Sequence, residues 1–232
     1  NAPKNRAITV GDLGGVYART GNYARAQRLL AQSLALARQI GDRYGEAWGL
    51  NWLSGVVLAQ GDAATALQLA REAFSVADAI GIKSLRAGGL AKMGDALLAN
   101  GALAEAADCY QQAQTICAQI NQAAEAALML AGLADIALRQ QQPERALNHV
   151  ETVLTTIATE PEICQGIHLQ VYWVCYQVLH NLGDPRAAAA LAAGHAILMS
   201  RADNIDDEAA RQLFLTQVAT HQQISESITH NL

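Results

Sequence analysis

Apolar residues recur at intervals of three and four along most of the chain, which is the spacing of one face of an α-helix. Within residues 22–40, they fall at Ala26, Leu29, Leu30, Leu34, Leu36 and Ala37. Short turns containing glycine or polar residues interrupt the pattern at regular distances. The chain is therefore predicted to be all-α, with successive helices joined by short turns.

One helix–turn–helix pattern repeats every forty residues. Its copies begin at Leu13, Leu53, Met93 and Leu133, and a looser copy begins 42 residues later at Cys175. An alanine lies thirteen residues after each start, at Ala26, Ala66, Ala106, Ala146 and Ala188. Self-similarity of this length indicates stacked units, each of which packs on its neighbours.

Each copy has a turn between its start and its alanine, and the turn residues suit the end of one helix and the beginning of the next. The turns contain Gly21, Gly61, Gly101, Gly183 and, in the fourth copy, Gln141–Pro143. Glycine ends a helix in the left-handed conformation without steric cost. Asn22, Asp62 and Asp184 are predicted to cap the following helix, and Pro143 and Pro185 to lie in its first turn. A small residue after most starts, as at Gly14 and Ser54, predicts a close approach of paired helices.

The first copy resembles the tetratricopeptide repeat, whose signature it matches at Leu13-Gly14, Tyr17, Gly21, Tyr23 and Ala26. The period is forty rather than about 34 residues, so the chain is similar to the variety with long helices. Later copies replace Tyr17 by Val57, Leu97 and Ala137. The resemblance implies a right-handed α-α superhelix of five helix pairs, with a concave groove lined by the first helix of each pair.

We predict one domain over residues 3–232. Its repeats span about 7–42, 43–82, 83–122, 123–161 and 162–202, and one capping helix follows at about 206–225. Residues 1–2 are similar to the remnant of a cleaved expression tag, so the chain is predicted to be a fragment of a longer protein. The last helix resembles the ends of such arrays in bacterial STAND and LuxR-type regulators and in ATPase-coupled cyclases.

Composition narrows the possible functions. The net charge of −5 argues against a broadly basic surface for nucleic acid. No window of about 18 uncharged apolar residues predicts a membrane span. The four cysteines, Cys109, Cys117, Cys164 and Cys175, form no C-x-x-C pair and are interpreted as reduced core residues of a cytoplasmic protein.

No motif predicts a reaction. Phosphate-binding glycine loops, the zinc motif H-E-x-x-H and the nucleophile motif G-x-S-x-G are all missing from the sequence. The six histidines are scattered, with no acidic or cysteine partners at ligand spacing. We therefore predict no enzyme activity, no cofactor and no metal site.

The groove positions implied by the resemblance give candidate binding residues. They are Trp48, Asn51, Trp52, Lys92, Asp95, Asp135, Arg139, Trp173, Gln177 and His180. The tryptophans either anchor a partner or pack between neighbouring units. The charged residues either recognise a partner or form a solvated face. Both pairs of alternatives stay open at the level of sequence.

These observations predict a non-catalytic interaction module of a larger cytosolic bacterial signalling or transcription regulator. The partner is predicted to be a protein, a peptide or another domain of the same parent chain. The alternative is a domain that senses a small effector. A clamp for a carboxyl terminus is not supported, because only Asn51 and Lys92 are of the right kind and Asp95 would repel a carboxylate.

Overall fold

The computed structural model describes residues 2–159 and 168–230, except for the side chain of His230. Within these ranges the chain forms twelve α-helices and no strand, which confirms the predicted all-α array of helix pairs. The helices are α1 (Ala2–Arg19), α2 (Tyr23–Gln39), α3 (Arg43–Ala59), α4 (Ala63–Ala79), α5 (Lys83–Ala99), α6 (Leu103–Gln119), α7 (Ala123–Arg139), α8 (Pro143–Thr159), α9 (Leu169–Asn181), α10 (Ala187–Asp203), α11 (Glu208–Thr216) and α12 (Ala219–His230).

The chain divides into two compact units, Asn1–Ile116 and Cys117–Leu232. The first unit holds α1 to α5 and most of α6, and the second holds α7 to α12. The single domain over 3–232 and the tag remnant at 1–2 stay predictions. No helix among the described residues is long and apolar enough to cross a bilayer.

Small residues bring the paired helices of the first unit together, as the sequence predicted. Ala26 and Ala66 are fully buried. A Cβ added to Gly14 would lie 2.8 Å from Cγ of Leu30, so α1 and α2 approach too closely for a side chain there. At the same position in the second repeat, the hydroxyl of Ser54 donates a hydrogen bond of 2.8 Å to the carbonyl of Ala66 on the paired helix.

The turns have the predicted chemistry. Gly21 has φ +78° and ends α1, while Asn22 accepts a hydrogen bond from the N–H of Arg25 and caps α2. In the fourth copy Gln141 takes the left-handed conformation instead, with φ +58°. Pro143 is the first residue of α8, where the absence of an N–H costs no hydrogen bond.

The fifth pair departs from the pattern of the others. Ala187, rather than the predicted Ala188, is the buried alanine. Pro185 lies in the turn before α10, not in its first turn, and Asp184 accepts the N–H of Arg186 within that turn. The close approach of α9 and α10 occurs at another position, where a Cβ on Gly194 would lie 2.9 Å from Cβ of Tyr172.

The capping helix predicted at about 206–225 is two helices, α11 and α12, separated at residues 217–218. No glycine or proline marks this break. The ring of His221 occupies it instead, with Nδ1 2.8 Å from the carbonyl oxygen of Phe214 and the two rings 4.3 Å apart. The His221 side chain thus satisfies a carbonyl at the end of α11, and α12 packs on α9 and α10.

The cysteines are core residues where the structure describes them. Cys109, Cys117 and Cys175 are buried and free, and burial raises the pKa of the Cys117 thiol to about 11 and that of Cys175 to about 12. Such thiols stay protonated and react poorly. Cys164 and the predicted start of the fifth first helix, residues 162–167, lie outside the described residues.

Candidate functional site

The five predicted binding residues of the first unit lie on one partly exposed surface. We call it the first-helix surface, because α1, α3 and α5 form it. It comprises Gly11, Gly15, Trp48, Asn51, Trp52, Gly55, Gly88, Lys92 and Asp95. Trp48, Asn51, Trp52, Lys92 and Asp95 are all half-buried, since their positions flank the core-facing stripe of each helix.

The two tryptophans pack between neighbouring repeats, which is one of the roles that the sequence left open, and their role as anchors for a partner stays a prediction. Their rings pair along α3 with centroids 5.8 Å apart, and both contact the core of the first unit. Each also keeps part of its surface exposed. The guanidinium of Arg19 lies 5.8 Å from the centroid of the Trp52 ring, which is within the range of a cation–π contact.

Glycines on one helix of the surface receive large side chains from the next. A Cβ on Gly11 would lie 2.9 Å from the Trp48 ring, and one on Gly15 would lie 3.6 Å from the Trp52 ring. On the next pair of helices, a Cβ on Gly55 would lie 3.7 Å from the Lys92 side chain.

Asn51 and Gly88 form a fourth pair of the same kind, with a Cβ on Gly88 3.0 Å from the Asn51 amide. In each of the four pairs, the two residues are separated by 37 positions in the sequence. This complementarity fixes the register between α1, α3 and α5.

The polar members of the surface are already engaged within the protein. Lys92 and Asp95 form an ion pair of 2.8 Å on α5, and the hydroxyl of Tyr110 donates a hydrogen bond of 2.7 Å to the other oxygen of Asp95. The Asn51 amide nitrogen lies 3.4 Å from the carbonyl of Leu85. These contacts hold α5 against α3 and α6 and orient the exposed parts of the side chains.

In the second unit the remaining predicted residues form two separate groups. Arg139 donates two hydrogen bonds of 3.1 Å to Asp135 one turn away on α7. On α9 the rings of Trp173, Tyr176 and His180 follow one another with centroids 5.4 and 5.3 Å apart. Gln177 is half-buried on the same helix.

A cavity of about 300 Å³ in the first unit was not predicted from the sequence. Residues of α1, α2 and α3 line it, among them Ile8, Asp12, Tyr44, Gly45 and Trp48. Tyr44 and Ile8 are about half exposed, at 54% and 48%. The signal that could have revealed it is Gly45, which stands in the first turn of α3 where the following repeat has Leu85.

The described residues contain no cluster of three or more potential metal ligands. Within the same part of the chain, the pKa shifts follow from burial or from arginine and turn contacts rather than from converging acids and bases. The histidines His149 and His221, for example, have lowered pKa values because they are buried. Nothing in this geometry resembles a nucleophile beside a base.

The helix pairs define a class of protein, the α-helical repeat proteins. Residues 5–79, which hold most of α1 and all of α2 to α4, match the family model for the tetratricopeptide repeat. Over most of its length the chain shares the helix-pair fold of solved TPR-like repeat structures. None of the curated protein sequences compared with the chain matches it significantly.

Solved structures share this fold at low sequence identity. A Podosopora anserina protein assigned as a kinesin light chain with TPR-like repeats is 18% identical, with a TM-score of 0.62 over 88% of this chain and 99% of its own. A Rap protein complexed with competence and sporulation factor is 13% identical, with a TM-score of 0.67 over 99% of this chain and 66% of its own. A thermophilic TPR protein from Thermus thermophilus is 13% identical, with a TM-score of 0.60 over 96% of this chain and 99% of its own.

Proposed function

We propose that the chain is a non-catalytic module that binds a protein or peptide through the first-helix surface. The observation that carries this proposal is the partial exposure of Trp48 and Trp52 on a surface that the fold holds rigid. Tryptophan rings that are fixed before binding lose little conformational entropy and are frequent hot spots of interfaces.

The surface offers two chemically different regions to one extended partner. The paired indoles supply apolar area, and the Lys92–Asp95 ion pair with Asn51 supplies polar groups one helix away. Because these polar groups are already paired, they would set the orientation of a partner more than its affinity. The Rap protein that shares the fold binds competence and sporulation factor, which supports the use of such a fold for recognition.

The regulatory setting is part of the proposal. We infer that the parent protein is a cytoplasmic bacterial signalling or transcription regulator, and that the partner is either a separate protein or another domain of the parent. The support is the resemblance of the repeat pattern to arrays in such regulators. Expression of the parent gene product with and without residues 5–230 would show whether the array controls its activity.

A displayed peptide library tests the binding surface. Peptides selected on the parent protein should bind Trp52→Ala at least about tenfold more weakly, because loss of a buried hot-spot ring commonly costs about 2 kcal/mol or more. Phe74→Ala is the matched control, since Phe74 is a half-buried aromatic residue on α4 whose ring lies beside Arg86, outside the first-helix surface. Equal binding by the parent, Trp48→Ala and Trp52→Ala, with their helicity intact, would show that the partner binds elsewhere.

The cavity favours the second candidate, a domain that senses a small effector. Its volume of about 300 Å³ is at the lower end of the range of small-ligand sites. A ligand at about 100 times its dissociation constant should stabilise the fold by about 2.7 kcal/mol, so a thermal-shift screen of metabolites would detect it. A shift that persists in a variant with the cavity filled would place the effector at another site.

A further inference from the structure

The cavity at α1, α2 and α3 exists in the first repeat because particular residues stand there. At three of these positions the residue forty places later is a larger or less polar one: Gly45 corresponds to Leu85, Asp42 to Ile82, and Ser33 to Ala73. Leu85 is a buried core residue. The repeat thus provides an internal comparison, in which the same backbone position is core in one copy and open in the other.

The walls of the cavity combine aromatic rings with a carboxylate. Tyr44 is 54% exposed and Trp48 is half-buried, and both line the cavity, so a bound group can contact both side chains. Asp12 is exposed and has no polar partner among the described residues. The rim therefore carries an unpaired negative charge beside aromatic surface.

The other charged groups of the cavity are already engaged. One oxygen of Asp42 accepts the N–H of Gly45 at 3.1 Å and caps α3. Its second oxygen lies 3.9 Å from Nζ of Lys4, which is itself mostly exposed. The carboxylates of Asp12 and Asp42 with one lysine leave the cavity with a net negative charge.

We propose that this cavity binds the guanidinium side chain of an arginine in the partner peptide. A guanidinium stacks on aromatic faces and pairs with a carboxylate through two parallel hydrogen bonds, which suits Tyr44, Trp48 and Asp12 together. The apolar stem of the arginine would lie against Ile8. The proposal rests on the proposed function and adds the residue type that the partner must carry near the amino-terminal end of the first-helix surface.

The side chain can be tested apart from any natural partner. Isotope-labelled protein is titrated with acetyl-Gly-Arg-Gly-amide and with the same peptide carrying Gln or Leu, and the Trp48 indole resonance is followed by NMR. The arginine peptide should shift this resonance with saturation, and the other two should bind at least several-fold more weakly. Equal binding of the Gln or Leu peptide would overturn the assignment.

Two substitutions examine the cavity itself. Asp12→Asn should weaken the arginine peptide about two- to fivefold, the effect of losing one exposed ion pair, whereas Asp108→Asn makes the same charge change on α6 and should have no effect. Gly45→Leu reproduces the residue of the next repeat and should abolish binding. If Gly45→Leu does not fold, the Asp12→Asn comparison still decides, and unchanged affinity there would refute the proposal.

The test of the arginine site and the test of the proposed function can give different results, so either proposal can fail without the other. Library peptides that depend on Trp52 but contain no preferred arginine would uphold the first-helix surface and refute the arginine site. A response of the cavity to the arginine probe, without selection of any peptide by the library, would uphold the side-chain specificity and refute the proposed extended surface.

Discussion

The backbone of Phe74 on α4 occupies the space that a side chain on Gly89 of α5 would need. A Cβ built on Gly89 would lie 2.9 Å from Cα and 3.0 Å from the amide nitrogen of Phe74. Backbone atoms cannot rotate away as the end of a side chain can, so this contact sets how closely the two repeats approach. The position forty residues earlier, Gly49, is also buried but has its nearest neighbour, Cβ of Leu34, at 3.7 Å.

Gly89→Ala should therefore destabilise the protein although alanine favours helix. We expect a loss of about 1–3 kcal/mol from overpacking, measured by urea unfolding. Gly49→Ala should be neutral or stabilising by up to about 1 kcal/mol, because only the higher helix propensity of alanine counts there. The same sign and size of effect at both positions would contradict the packing of α4 on α5.

Leu13 and Leu53 hold the same place in successive repeats and should differ widely in their contribution to stability. Leu53 is 6% exposed because α2 packs on α3, whereas Leu13 is 42% exposed on α1. Leu53→Ala should cost about 2–5 kcal/mol, and Leu13→Ala at most about 1 kcal/mol. Unfolding free energies of the two variants provide the comparison, and similar losses would mean that α1 is covered in solution.

The ion pairs of Glu46 should contribute more to the free energy of unfolding than nearby surface ion pairs, because the Glu46 carboxylate is buried. Glu46 is 6% exposed and accepts hydrogen bonds from Arg38 on α2 and Arg43 on α3. Arg38 also pairs with Glu72 on α4, whose side chain is about half exposed. Glu46→Ala should cost about 1.5–3 kcal/mol, as hydrogen bonds to charged groups do.

Glu72→Ala is the control for Glu46, since it removes a carboxylate from the same arginine at the surface. Its cost should stay below about 1 kcal/mol and vanish at high salt. The cost of Glu46→Ala should persist in salt because the Glu46 carboxylate is buried. If both variants lost the same stability at every salt concentration, burial would not be the deciding factor.

The C-terminal helices should weaken as the pH falls. Burial, and to a smaller degree the charge of Arg201, lowers the pKa of His221 below its usual value near 6.5. The folded protein therefore favours the neutral ring, and the unfolded chain binds the proton first. The stabilisation is complete above about pH 6.5 and is lost as the pH falls from there towards the lowered folded pKa.

His221→Gln should reduce the loss of stability between about pH 7.5 and pH 5, measured by urea unfolding at both values. His195→Gln is the matched control, since it removes a histidine from the neighbouring helix α10. His149 on α8 is half-buried and also has a lowered pKa, so part of the pH dependence should remain. An identical pH dependence in the parent and in His221→Gln would exclude the ring as its source.

Most of the fold could be predicted from the sequence because each repeat contains its own turn and helix-capping residues. For example, α3 begins at Arg43 directly after Gly41 and Asp42 and ends at Ala59 shortly before Gly61, so turn residues visible in the sequence mark both of its limits. The break between α11 and α12 was missed because it depends on a ring reaching a carbonyl seven residues away, which no local pattern shows. Ala188 was misplaced because the fifth pair does not keep the spacing of the other copies after its turn at Gly183.

The candidate binding surface was predicted only in part. The groove positions implied by the tetratricopeptide resemblance include Trp48, Trp52 and Lys92, and the structure places all three half-buried on the first-helix surface. The role of the glycines facing them depends on contacts between helices of different repeats, which the periodicity of one helix cannot reveal. Similarly, the cavity at Gly45 requires the knowledge that Leu85 fills the same position in the next copy.

Because the glycines of the first-helix surface pair with side chains 37 positions away, the packing between repeats depends on the order in which the repeats follow one another. Excising residues 43–82 would preserve the forty-residue rhythm, yet it would set Gly11 against Gly88 and Gly15 against Lys92. Two glycines would then face each other across an empty gap. Although the copies are similar in sequence, each repeat is complementary only to its own neighbour. Recombination between copies would therefore give a shorter array whose new contact between repeats is poorly packed.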